Sequence, residues 1–115
     1  MLHWRDLTTE QQLNEIRELS HTVPCFIFKH STRCSTSVMV KNRVEREWNA
    51  TADELPSFYL DLLRYRPVSN LITEQFGIHH ESPQAIVIVN GEAIYDASHI
   101  SISARDIQNA ASQPA

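Results

Sequence analysis

Val23-Pro24-Cys25-Phe26-Ile27-Phe28-Lys29, followed after His30 by Ser31-Thr32-Arg33-Cys34-Ser35-Thr36-Ser37, is the stretch on which the fold turns. The first part is a short apolar run of aromatic and β-branched residues, and it reads as a strand covered on both faces. The second part is a polar turn rich in helix-capping side chains. A helix is predicted to follow it, to about Trp48. Val40, Val44 and Trp48 fall four apart on that helix and form a stripe to bury. Lys41 with Glu45, and Arg43 with Glu47, are spaced to pair on its exposed side. A strand that ends where a helix begins is half of a βα unit.

Upstream, Thr8 or Thr9 caps a first helix running to about Ser20, with Leu13, Ile16 and Leu19 at helical spacing. Downstream, Ser57 to Leu63 reads as a second strand. Pro67 and Ser69 open a short helix, Asn70 to Phe76, which Gly77 stops. Pro83 precedes a third strand, Gln84 to Val89. Asn90-Gly91 is a hairpin turn, and Glu92 to Tyr95 is the return strand. A last helix runs from Ser101 or Ser103 to Ala110, and Asn109 to Ala115 reads as a loose tail. The order α-β-α-β-α-β-β-α predicts an α/β domain: a four-stranded mixed sheet (βαβαββα) with helices on both faces and an extra N-terminal helix.

The bulk numbers fit one domain over residues 1–115. Ten basic and fourteen acidic side chains leave a net charge of −4, so neither nucleic acid nor an anionic membrane is expected as a partner. No apolar run is long enough to span a bilayer, and residues 1–12 contain no apolar core of a signal peptide. The expected location is the cytoplasm. There Cys25 and Cys34 should be free thiols. No metal ligand set is assigned, because two cysteines cannot make a Cys-only zinc site and the adjacent His79 and His80 would point opposite ways in a strand.

Chemistry concentrates at Cys34. It stands at the junction of strand and helix, where unpaired N–H groups and the helix dipole favour an anion. A thiolate is such an anion, and Arg33 beside it, with His30 nearby, would favour the charge further. Ser37, three residues on, replaces the second cysteine of a C-x-x-C motif. It cannot close a disulfide, but its hydroxyl could donate to the thiolate or cap the first turn. Cys25, inside the strand, reads as packing. The residues leave open whether Ser82-Pro83 is a trans strand-opening bond or a cis one.

Phe76-Gly77-Ile78, Pro83, the apolar strand and Asn90-Gly91-Glu92 resemble the second half of thioredoxin. In that family the proline is cis and faces the reactive cysteine. The segment Phe28-Lys29-His30-Ser31-Thr32-Arg33-Cys34, with Tyr59-Leu60-Asp61 and His79-His80-Glu81-Ser82-Pro83-Gln84, is similar to the bacillithiol-system redox-active proteins, the monothiol bacilliredoxins of the thioredoxin-like superfamily. The resemblance runs from about Thr9 to Ile107. One departure is clear: the family's proline after the cysteine is Ser35 here, which leaves one more N–H donor at the helix start.

The resemblance implies a thioredoxin-like fold and a monothiol thiol–disulfide oxidoreductase. Cys34, with Ser37 and Arg33, would be its catalytic set. His30, Thr32, Ser82 and Pro83 would bind substrate. Its substrates would be mixed disulfides between client proteins and a low-molecular-weight thiol, with bacillithiol as co-substrate and no bound cofactor. The chain is expected to be a monomer or weak dimer. Two other functions remain open on the residues: a non-enzymatic thioredoxin-like binding module, and an iron–sulfur carrier, against which Ser35 in place of the glycine of monothiol glutaredoxins argues.

Overall fold

The computed structural model describes residues 2–112. Its core is built on β2 (Cys25–His30), all six residues of which are buried. On one face of the sheet Cys25 and Ile27 pack with Phe58, Leu60, Ile86 and Ile88 under helices α1 (Glu10–Leu19) and α3 (Arg66–Phe76). On the other, Phe26, Phe28, Ala85 and Val87 pack under α2 (Ser35–Glu47) and α4 (Ala104–Ser112). The period of two along β2 thus feeds two separate apolar layers. The Val40, Val44 and Trp48 stripe is buried as its spacing predicts, and Trp48 stacks on Phe26 with ring centroids 5.3 Å apart.

The sheet has five strands, not four, in the order β1 (Trp4–Asp6), β3 (Ser57–Asp61), β2, β4 (Gln84–Val89), β5 (Glu92–Ser98). The unexpected one is β1 (Trp4–Asp6), an edge strand parallel to β3 (Ser57–Asp61). Trp, Arg and Asp carry no apolar alternation, so nothing local announces a strand. Its pairing is decided by the open edge of β3 and by Trp4, whose ring lies 5.6 Å from Phe26 and 5.7 Å from Phe28. β2 and β3 are parallel, whereas β4 (Gln84–Val89) runs antiparallel to β2 and β5 (Glu92–Ser98) antiparallel to β4.

Several boundaries differ from expectation for local reasons. The second strand stops at Asp61 instead of Leu63, because the Tyr65 N–H bonds the Asp61 carbonyl at 2.9 Å and turns the chain. α3 starts at Arg66, with Pro67 in its first turn, where a missing N–H costs nothing. It ends at Gly77 in the left-handed region, φ +66°. The tail reading fails for Asn109 to Ser112, which are helical because Ala110 and Ala111 pack on the α2 face of the core. The rest of that segment lies outside the described residues. Lys41 and Glu45 pair at 2.7 Å. Arg43 does not pair with Glu47: it donates to the carbonyls of Ile100 and Ile102, a tertiary contact that replaces the helical one. Among the described residues no helix is long and apolar enough to cross a membrane.

Candidate functional site at the start of the second helix

Cys34 is the N-cap residue of α2, with extended backbone (φ −104°, ψ 116°), and its side chain makes no capping bond. The amides of Ser35, Thr36 and Ser37 therefore open the helix without an intrahelical acceptor. The loop that carries Cys34 is closed by its own N–H, which bonds the Ser31 carbonyl at 3.2 Å, and by its carbonyl, which accepts from Val38 N at 3.1 Å. The thiol is half-buried and unpaired. The open amides of the helix start thus lie next to a reachable sulfur, the atom that attacks in disulfide exchange.

Pro83 comes to the same end of the sheet. Gln84 pairs with Lys29 in the β2–β4 ladder, so the residue before Gln84 flanks His30, the last residue of β2 before the cysteine loop. The Ser82-Pro83 bond is cis. Pro83 is buried, and its carbonyl accepts from His99 N at 3.0 Å. Ser82 is half-buried, and its hydroxyl oxygen is buried without a partner among the described residues. Thr32 and Arg33 are exposed on the loop, and Arg33 makes no ion pair there among the described residues.

Two expectations for this site need correction. His30 neither contacts solvent freely nor supplies positive charge. It is only 5% exposed and lies between Phe28 and Tyr59, with ring centroids at 6.0 and 5.5 Å. Burial, helped by the Lys41 ammonium, holds its pKa below the ordinary histidine value. It lies beneath the loop, and its Nδ1 is engaged by Ser37 Oγ at 2.6 Å. Ser37 is fully buried, and its hydroxyl is taken by His30 Nδ1 at 2.6 Å and by the Ser31 N–H at 3.1 Å, with no bond to the Cys34 sulfur. The period of the helix turns position 37 back under the loop.

Cys25 sits in the core, 0% exposed, and burial pushes its thiol up to about 12. Its packing role stands. Lys29, Gln84 and His99 also reach the segment before Pro83, through His80, the His79 carbonyl and Glu81. Lys29 had a signal in the sequence, a lysine inside an otherwise apolar strand. Gln84 and His99 had none, since their partners come from other elements.

A family model described as Monothiol bacilliredoxin BrxC matches residues 5–107. Among solved structures, a thioredoxin-fold protein described as a candidate oxidoreductase is 25% identical, with a TM-score of 0.79, covering 93% of this chain and 92% of that one. The thioredoxin of Malassezia sympodialis is 16% identical with a TM-score of 0.69, covering 96% and 92%. The thioredoxin of Fasciola hepatica is 13% identical with a TM-score of 0.69, covering 91% and 93%. The last two share the fold alone. The match over residues 5–107 includes the cysteine loop, the Pro83 turn and strands β2 to β5, and by it the chain belongs to the monothiol bacilliredoxin family, thioredoxin-fold oxidoreductases of thiol–disulfide exchange that work with bacillithiol.

Proposed function

We propose that Cys34 is the nucleophile of this exchange and that S-bacillithiolated proteins are its substrates. The thiolate of Cys34 attacks the bacillithiol sulfur of a mixed disulfide. The client's thiolate leaves, and Cys34 now carries the bacillithiol. A second bacillithiol thiolate then attacks that sulfur, restoring the Cys34 thiolate and releasing the oxidised bacillithiol dimer. With Ser37 in place of a second cysteine, the small thiol rather than the chain itself resolves the intermediate.

The observation that carries this reading is the half-exposed, unpaired sulfur of Cys34 at the open start of α2, on the sheet end where Pro83 lies. Arg33 precedes the sulfur in the chain, and the first-turn amides of α2 are open beside it. Thr32 and the Ser82 backbone line the approach of the disulfide, held in the strand-like manner of an added β-segment, with Pro83 as the buried wall behind it. A protein client is suited by the exposed apolar side chains of Val38 and Met39 on α2 and of Ile100, whose carbonyl Arg43 ties to that helix. The reaction belongs to the cytoplasm, where small thiols are kept reduced.

Incubation with oxidised bacillithiol, and separately with oxidised glutathione, followed by intact-mass measurement, tests this. One bacillithiol adduct per chain, absent in Cys34→Ser, is expected. A protein that gains no adduct, or gains one equally in Cys34→Ser, rules the assignment out.

A further inference from the structure

Strand β2 carries one lysine, Lys29, and it is 0% exposed. By the alternation along the strand it faces the same side as Cys25 and Ile27. Its partner across the ladder is Gln84, 1% exposed. Directly opposed residues share a face, and these two reach consecutive histidines. Lys29 Nζ donates to His80 Nδ1 at 2.7 Å, and Gln84 Nε2 donates to the His79 carbonyl at 3.0 Å. From the other side, His99 N donates to the Pro83 carbonyl at 3.0 Å, and His99 Nε2 lies 2.9 Å from Glu81 Oε1. Four of the residues 79–83 are thus tied, and Ser82 alone keeps a buried hydroxyl with no partner among the described residues.

Packing does not explain the lysine. Apart from Gln84, its neighbours on that face, Cys25, Ile27 and Leu60, are apolar, and an isosteric methionine would fill the space without desolvating a charge. No carboxylate lies within ion-pair distance of its ammonium among the described residues. Burial, with Arg66 adding to it, pushes Lys29 down to about 8, so near neutrality it still donates as an ammonium. Desolvation on its Lys29 side, with the charges of Lys29 and Arg66, holds His80 below the ordinary histidine value, which leaves its Nδ1 to accept from Lys29. A charge kept where it costs stability, beside a reactive loop, points to function.

We propose that Lys29 is a positioning residue for the exchange reaction: acting through His80, with Gln84 beside it, it fixes residues 79–83 so that Ser82 and Pro83 meet the mixed disulfide arriving at Cys34. The proposal rests on the roles given above to Cys34 and to the Ser82-Pro83 turn.

The test uses Lys29→Met, His80→Phe and the double variant, each assayed for kcat and KM on a bacillithiol-modified protein. Cys34 alkylation by iodoacetamide and the urea midpoint are measured in parallel. Each single substitution is expected to raise KM about tenfold with kcat little changed, and the double to be no worse than either single, as for two residues acting as one unit. Alkylation should match the wild type, and the Lys29→Met midpoint should be equal or higher, which a merely structural lysine would not produce. His80 is exposed, so His80→Phe keeps the test alive if Lys29→Met fails to fold. A wild-type KM in His80→Phe or Lys29→Met overturns the proposal. So does alkylation that slows in step with turnover, because Lys29 would then act on the sulfur itself. A wild-type protein unable to turn over the mixed disulfide would instead remove the reading of Cys34, and this inference with it.

Discussion

Ser37 Oγ lies 2.6 Å from His30 Nδ1, so the serine three residues after the cysteine serves the strand end below the loop and not the sulfur. The same hydroxyl accepts the Ser31 N–H at 3.1 Å. One buried oxygen therefore joins the end of β2, the loop and the first turn of α2, and the position of Cys34 depends on that junction.

Ser37→Ala should accordingly act on stability first. It strands a buried ring nitrogen and a backbone amide, which costs about 1–3 kcal/mol for a buried group left unpaired. A loss of that size in the unfolding free energy from urea titration is expected, with turnover per folded molecule retained far better than in Cys34→Ser. If Ser37→Ala kept wild-type stability and lost turnover, the hydroxyl would belong to the chemistry after all.

Acid should weaken the fold through His30. Its folded pKa lies below the unfolded 6.5 because burial and Lys41 disfavour the charge. The unfolded chain thus binds the extra proton first, and stability rises with pH across this window. The contribution is whole above 6.5 and is lost as pH falls through 6.5 toward the folded value. Urea midpoints between pH 7.5 and 5 should fall more steeply for the wild type than for His30→Phe, which cannot titrate.

The two thiols should separate cleanly by reactivity. Cys25 is buried and pushed up to about 12, while Cys34 is half-exposed. Iodoacetamide should label the native chain once, at Cys34, and the urea-unfolded chain twice, as read by peptide mass mapping. Rapid native labelling of Cys25 would mean that β2 opens, contrary to its buried place in the ladder.

Gly77→Ala isolates a backbone effect. The glycine has φ +66°, and a Cβ added there would meet nothing within 4 Å. The cost is then the left-handed conformation alone, about 1 kcal/mol. A loss well above that, read from chemical denaturation, would point to a change in α3 itself.

The sequence by itself determined the parts governed by near neighbours. The apolar run Cys25 to Phe28, the stripe Val40–Val44–Trp48, the stop at Gly77 and the strand Gln84 to Val89 each carry their own period or turn residue, and each forms where it reads. Cys34 at a helix start was legible for the same reason. Tertiary structure alone decided the rest. β1 exists because β3 offers it an open edge, and Arg43 leaves Glu47 for carbonyls 57 and 59 residues away. His30 is held below the ordinary histidine value by burial between Phe28 and Tyr59 and by Lys41, and Lys29 finds its acceptor 51 residues on, in His80. Hydrogen bonding and desolvation depend on what lies within a few ångströms in space, and a linear pattern records only what lies within a few residues along the chain.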